Sequence, residues 1–138
     1  MADPVMVEGL VPVPQEEVAL LLECGYLYME MQKPREAEEI FNGVAALVPQ
    51  SEVPLLCLGN LFFSLGRFDR ALKFHQEALK KQPASALAQA HVGESLLFMK
   101  KRAEGKAALE KAAAMAPEGS DAAAFANSLL DALAAGVI

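Results

Sequence analysis

The sequence predicts an all-α protein made of stacked antiparallel helix pairs. Three observations carry that expectation. Hydrophobic residues make up 54% of the 138 residues, with two Tyr, no Trp and few β-branched residues besides Val, which is the composition of packed helices. Gly25, Gly59 and Gly93 recur with a period of 34 residues. Pro49, Pro83 and Pro117 keep the same period, so two independent ladders share one repeat. A chain of this length forms one domain with a core of its own.

Taken in order, residues 1–14 are expected to form an extended arm. Pro12 and Pro14 hold their own φ near -65° and push Val11 and Val13 towards extended backbone, so polyproline II or strand-like shape is favoured over helix. The arm, with its apolar Val residues, is expected to lie on an apolar surface of its own chain or of a second copy, the alternative being a mobile tail. Helices follow at about Gln15 to Met31, Pro34 to Leu47, Glu52 to Leu65, Phe68 to Lys81, Ala86 to Met99 and Arg102 to Ala116. Ser51 and Ser85 are placed as N-caps, and Gly66 as the turn inside the second pair. After Pro117, Ser120 or Asp121 starts a seventh helix reaching about Ala135, with Ala122, Phe125, Ala126, Leu129 and Leu133 on the face that closes the stack. The domain is therefore 15–138, with repeats at 18–51, 52–85 and 86–119 and a closing helix at about 120–135.

Three further ladders follow the same period. They are Ala37, Ala71 and Gly105, then Val44, Ala78 and Ala112, then Tyr28, Phe62 and Leu96. Counting each repeat from Val18, Glu52 and Ala86, small residues stand at the eighth, twentieth and twenty-seventh places, a large apolar residue at the eleventh and Pro at the thirty-second. From Val18 to Gly119 this resembles the tetratricopeptide repeat (TPR). The resemblance implies a right-handed superhelical stack of three helix pairs, with the first helix of each pair lining a concave face. Small residues let the two helices of a pair approach closely, and the proline, lacking an amide hydrogen, ends the second. At the twenty-fourth place, where an aromatic residue is expected, the chain has Phe41, His75 and Leu109.

In the TPR family, places 2, 5, 9, 12 and 13 face the concavity. Here they are Ala19, Leu22, Tyr26, Met29 and Glu30, then Val53, Leu56, Asn60, Phe63 and Ser64, then Leu87, Ala90, Glu94, Leu97 and Phe98. The groove is mostly apolar, and the core is expected from Leu21, Cys24, Tyr28, Leu55, Leu58, Phe62, Val92 and Leu96 on the other face. A contiguous exposed apolar surface marks a partner site. The candidate binding residues are therefore Leu22, Tyr26, Met29, Val53, Leu56, Asn60, Phe63, Leu87, Ala90, Glu94, Leu97 and Phe98. The fifth places, Leu22, Leu56 and Ala90, carry no basic group, so capture of a terminal carboxylate lacks donors.

Other function classes are disfavoured. The net charge is -6, with Glu and Asp concentrated in the first fifty residues against only Lys33 and Arg35, which repels phosphate backbones and argues against nucleic acid. No long apolar run suggests membrane insertion, and MADPVMVEGLVPVP lacks the basic start of a signal peptide, so a cytoplasmic location is expected. Cys24 and Cys57 read as buried small hydrophobes, His75 and His91 as structural, and Lys100, Lys101, Arg102 and Lys106 as a solvated turn in preference to an anion site. With no phosphate loop after a strand, no Ser-His-Asp set and no metal cluster, the expectation is a protein without enzymatic activity, cofactor or metal.

The architecture, the acidic chain and the apolar groove together resemble bacterial type III secretion chaperones of the TPR class. Locally, LLLECGYLYMEMQKPREAEEIFNGVAALVPQ and CLGNLFFSLGRFDRALKFHQEAL are similar to the opening repeats of chaperones for translocator or export-apparatus subunits. That resemblance implies a protein or peptide client whose extended apolar segment lies in the groove. A structural scaffold, using the same surface for permanent homo- or hetero-oligomers, is the alternative, and a homodimer is anticipated from the apolar Leu130, Val137 and Ile138.

Overall fold

A computed structural model describes residues 3–7, 9 and 12–138. Among the described residues seven helices follow a short antiparallel pair: β1 (Met6–Val7), β2 (Val13–Pro14), α1 (Gln15–Glu30), α2 (Pro34–Leu47), α3 (Val53–Ser64), α4 (Phe68–Lys81), α5 (Ala86–Phe98), α6 (Arg102–Met115) and α7 (Asp121–Ala134). Each expected helix is present, with ends displaced by no more than a residue.

The boundaries have local causes. Helices α1, α3 and α5 end in the same six-residue hydrogen-bonded turn, in which Lys33, Arg67 and Lys101 donate to the carbonyls of Tyr28, Phe62 and Leu96, each at 2.9 Å. The turn needs one left-handed residue, and Gln32, Gly66 and Lys100 supply it at φ of 62°, 76° and 68°. Only the second of these is a glycine, so two turns of three carry backbone strain. Ser85 and Ser120 accept from the amides of Ala88 and Ala123 as N-caps of α5 and α7. Ser51 instead stands one residue before the N-cap of α3, Glu52, and its hydroxyl accepts from Val53 at 3.2 Å.

The place-8 glycines show why the 34-residue period exists. A Cβ on Gly25 would overlap the Phe41 ring, one on Gly59 the His75 ring, and one on Gly93 the Leu109 side chain. The large residue at place 24 of each outer helix thus presses on the backbone of its inner partner. Phe41, His75 and Leu109 are all fully buried. Burying Phe41 or Leu109 contributes about 2 kcal/mol, whereas the imidazole of His75 is held in the same place by hydrogen bonds.

Stacking follows the expected order, with α1 against α2, α3 against α4 and α5 against α6, and each pair joined to the next. The backbones of the inner helices approach in sequence, α1 with α3, α3 with α5 and α5 with α7, whereas those of α2 and α4, like those of α4 and α6, stay more than 8 Å apart between Cα atoms. A stack whose first helices touch while its second helices splay is curved, with α1, α3 and α5 on the inside. Helix α7 covers the end, where Phe125, Leu129 and Leu130 pack against buried Ala90, Leu109, Ala112 and Ala126. Leu130, expected outside the inward face, is therefore part of this packing.

At the opposite end the arm folds back as a narrow ribbon. Met6 pairs with Pro14 and Val7 with Val13, and the Gln15 amide donates to Val5 at 2.6 Å. Val7 and Val13 pack on Val18, Val44 and Val48, so the extended shape expected from the prolines is used to cover the start of α1 and the end of α2. Leu21, expected in the core, is 40% exposed, because it lies on the α1 face that has no preceding repeat to cover it.

Candidate functional site

The inner helices present one residue row each. Val53 and Leu87, both at place 2, are 40% and 38% exposed. Tyr26 on α1 and Phe98 on α5 are similarly open, while Leu22, Met29, Phe63, Glu94 and Leu97 are half-buried. Two candidate residues do not belong to an open surface. Leu56 is 6% exposed, locked in the cluster of Phe41, Leu55 and Leu61, and Ala90 is fully buried under α7. Leu56 shares its cluster with Phe41 of α2 and Ala88 of α5, and Ala90 its cluster with Ala112 of α6 and Ala126 of α7, so place 5 is buried once the neighbouring helices stack.

Asn60 joins two repeats. Its amide nitrogen donates to the Tyr26 hydroxyl at 2.9 Å, and its carbonyl oxygen faces His75 Nε2 at 3.3 Å. Because that oxygen only accepts, Nε2 carries the proton, and His75 Nδ1 accepts from the buried Ser95 hydroxyl at 3.2 Å. A polar chain thus runs from the groove through the core of the second repeat, Tyr26 to Asn60 to His75 to Ser95. His75 stacks on His91 with ring centres 4.9 Å apart, and His91 in turn packs on Phe125 and bonds Glu94 at 3.2 Å.

Burial dominates the electrostatics here. It pushes the His75 pKa down to about 3, with the neighbouring His91 adding to the effect. Burial likewise raises the Tyr26 hydroxyl, which the Cys57 thiol beside it reinforces, and raises Cys57 itself. A neutral His75 with both ring nitrogens engaged is a bridge between α3, α4 and α5. Composition could not show this chain, although an Asn at place 9 followed by a His at place 24 of one repeat was the available signal.

At the groove's far end Phe63, Phe68 and Phe98 form an aromatic trio with ring centres 4.9 to 5.3 Å apart. Beyond it, Leu97, Phe98, Lys100, Arg102, Val137 and Ile138 line a cleft of about 410 Å³. Lys100 and Arg102, read from sequence as a solvated turn, thus border an apolar space. Among the described residues no set of three His, Cys, Asp or Glu is arranged to hold a metal ion, and no helix is long and apolar enough to cross a membrane.

Curved stacking, the place-8 glycines and the repeated turns define a protein of the tetratricopeptide-repeat fold. No protein-family model matches the sequence, and no curated protein matches it. Among solved structures, PcrH from Pseudomonas aeruginosa superposes with a TM-score of 0.74 at 21% identity, over 88% of this chain and 95% of that one. The type III secretion translocator chaperone SycD from Yersinia enterocolitica gives 0.74 at 20% identity, over 85% and 90%. The first TPR of Spaghetti (RPAP3), bound to an HSP90 peptide, gives 0.71 at 21% identity, over 88% and 99%. The chain has the TPR fold and resembles, in fold, these secretion chaperones and peptide-binding domains.

Proposed function

We propose that the chain is a chaperone or adaptor that holds an extended apolar segment of a partner polypeptide along α1, α3 and α5, and that it serves type III secretion by guarding a translocator or export-apparatus subunit. The observation that carries this is the row of Tyr26, Val53, Leu87 and Phe98 on consecutive inner helices, side chains that stay 36% to 41% exposed although Tyr26 and Phe98 also pack within the stack. PcrH has been solved with the chaperone binding region of PopB, and SycD with a peptide of YopD, which supports the same use of this fold here. Burying a few client side chains at about 1.5 to 3 kcal/mol each, less the cost of ordering the peptide, gives an affinity on the order of micromolar.

Co-purification from the native cell, with the bound protein identified by mass spectrometry, tests the reading. A secretion substrate captured by the wild type and lost with Val53→Glu or Leu87→Glu supports it. Leu56→Glu is unsuited to this test because it would charge the core. A scaffold is the second reading. It is favoured by Leu20, Leu27 and Met31, an exposed apolar stripe along α1 and its C-cap that a permanent partner or second copy would cover. Self-association unaffected by any bound segment would support that alternative.

A further inference from the structure

The cleft beyond the aromatic trio is one of three related positions. Places 12, 13, 15 and 17 of each repeat meet the next helix at the edge where the inner helices end. In the first repeat, Met29, Gln32 and Pro34 face Leu61 and Leu65 across an open cleft of about 260 Å³. In the second the space is filled, because Phe68 at place 17 turns its ring between Phe63 and Phe98, 4.9 and 5.3 Å away. In the third, place 17 is Arg102. Its guanidinium is drawn to the chain's own tail, donating to the carbonyls of Ile138 at 2.7 Å and Leu133 at 3.1 Å. No ring enters, and Val137 on the far wall is 75% exposed.

The mouth is cationic. Lys100 is held by its left-handed backbone at the lip of the cleft, Lys101 is exposed beside it, and among the described residues neither has a carboxylate at ion-pair distance. In a chain of net charge -6 such a lip is a local reversal of sign.

We propose that this cleft receives an aromatic side chain of the partner polypeptide, carried on a segment with acidic residues on either side. A phenyl ring, that of Phe68, fills the equivalent position one repeat earlier against the same Phe98. Lys100 and Lys101 attract carboxylates to the lip while the apolar walls reject them from the interior. The proposal rests on the partner-holding reading and adds a terminal subsite to it, because Phe98 belongs both to the groove and to the cleft.

The probe is a capped tripeptide, aspartate-phenylalanine-aspartate, titrated into the full chain at low salt and followed by amide chemical shifts. Saturable shifts at Phe98, Lys100 and Val137 are expected, with binding at least about tenfold weaker when the central residue is alanine or the flanks are lysine. Arg102→Phe, which puts a ring where Phe68 has one, should abolish binding. Val137→Asp, at a position too exposed to affect folding, should weaken it by about fivefold or more. Equal binding of the alanine peptide, shifts centred elsewhere, or full binding by Val137→Asp would overturn the proposal. Val53→Glu separates the two ideas. If the tripeptide does not bind while client capture still depends on Val53, the cleft fails alone; if the tripeptide binds while client capture ignores Val53 and Leu87, the groove reading fails.

Discussion

Acidification should destabilise this protein through one residue. His75 has a pKa of about 3 in the folded chain against an ordinary 6.5, because burial disfavours its charged form. The unfolded chain therefore takes up the proton first. The stability contributed by neutral His75 is complete above about pH 6.5 and is lost as the pH falls towards 3. Between pH 7 and pH 5 the loss is about 2 kcal/mol, a value insensitive to the folded pKa, since His75 in the fold stays neutral throughout that window. That is a large share of a typical domain stability of about 5 to 15 kcal/mol. The comparison variant is His75→Leu, because Leu109 fills the same place against Gly93 in the third repeat. At pH 7 the variant should be less stable by about 1 to 2 kcal/mol, since it leaves the buried Ser95 hydroxyl without its partner. Its loss between pH 7 and pH 5 should be smaller than that of the wild type by about 2 kcal/mol, so that the two converge near pH 5. Urea unfolding followed by helical circular dichroism at pH 7, 6 and 5 reads both quantities. Equal losses in the two proteins would refute the assignment of the acid sensitivity to His75.

Glycine substitutions should change sign with place. Gly59→Ala, whose new methyl group would overlap the His75 ring, should destabilise by about 2 to 4 kcal/mol, whereas Gly43→Ala, on α2 with no atom nearby, should stabilise by about 0.5 to 1 kcal/mol in the same urea assay. Gln32→Gly and Lys100→Gly relieve left-handed backbone and should each stabilise by about 0.5 kcal/mol, measured by thermal unfolding. Only the second should also weaken the acidic tripeptide, by about threefold at low salt, as expected for loss of one exposed cation. Val53→Glu and Leu87→Glu should leave helicity and melting temperature near wild type while client capture falls at least about tenfold, each side chain being too exposed to matter for folding.

The repeat architecture was legible in the sequence because it rests on contacts of fixed spacing. A glycine at place 8 and a bulky residue at place 24 lie in adjacent helices of one pair, so their requirement recurs as a visible period, and the prolines at place 32 mark the ends between pairs. Helix boundaries follow from the same local chemistry. What the sequence could not decide was which residues of the inner helices stay open. Places 2 and 5 both precede the glycine on the same helix, yet Val53 and Leu87 are exposed while Leu56 and Ala90 are buried. The difference arises only when neighbouring helices close over place 5, α2 and α5 around Leu56 and α6 and α7 around Ala90, and no periodicity within one repeat encodes that cover. The Tyr26–Asn60–His75–Ser95 chain spans three repeats, so each member looks unremarkable in its own segment. The cleft at Arg102 likewise depends on the tail after α7 returning to the turn between α5 and α6, more than thirty residues away in the chain. Local spacing determines the helices and their pairing, and the curvature of the stack decides what remains for a partner to touch.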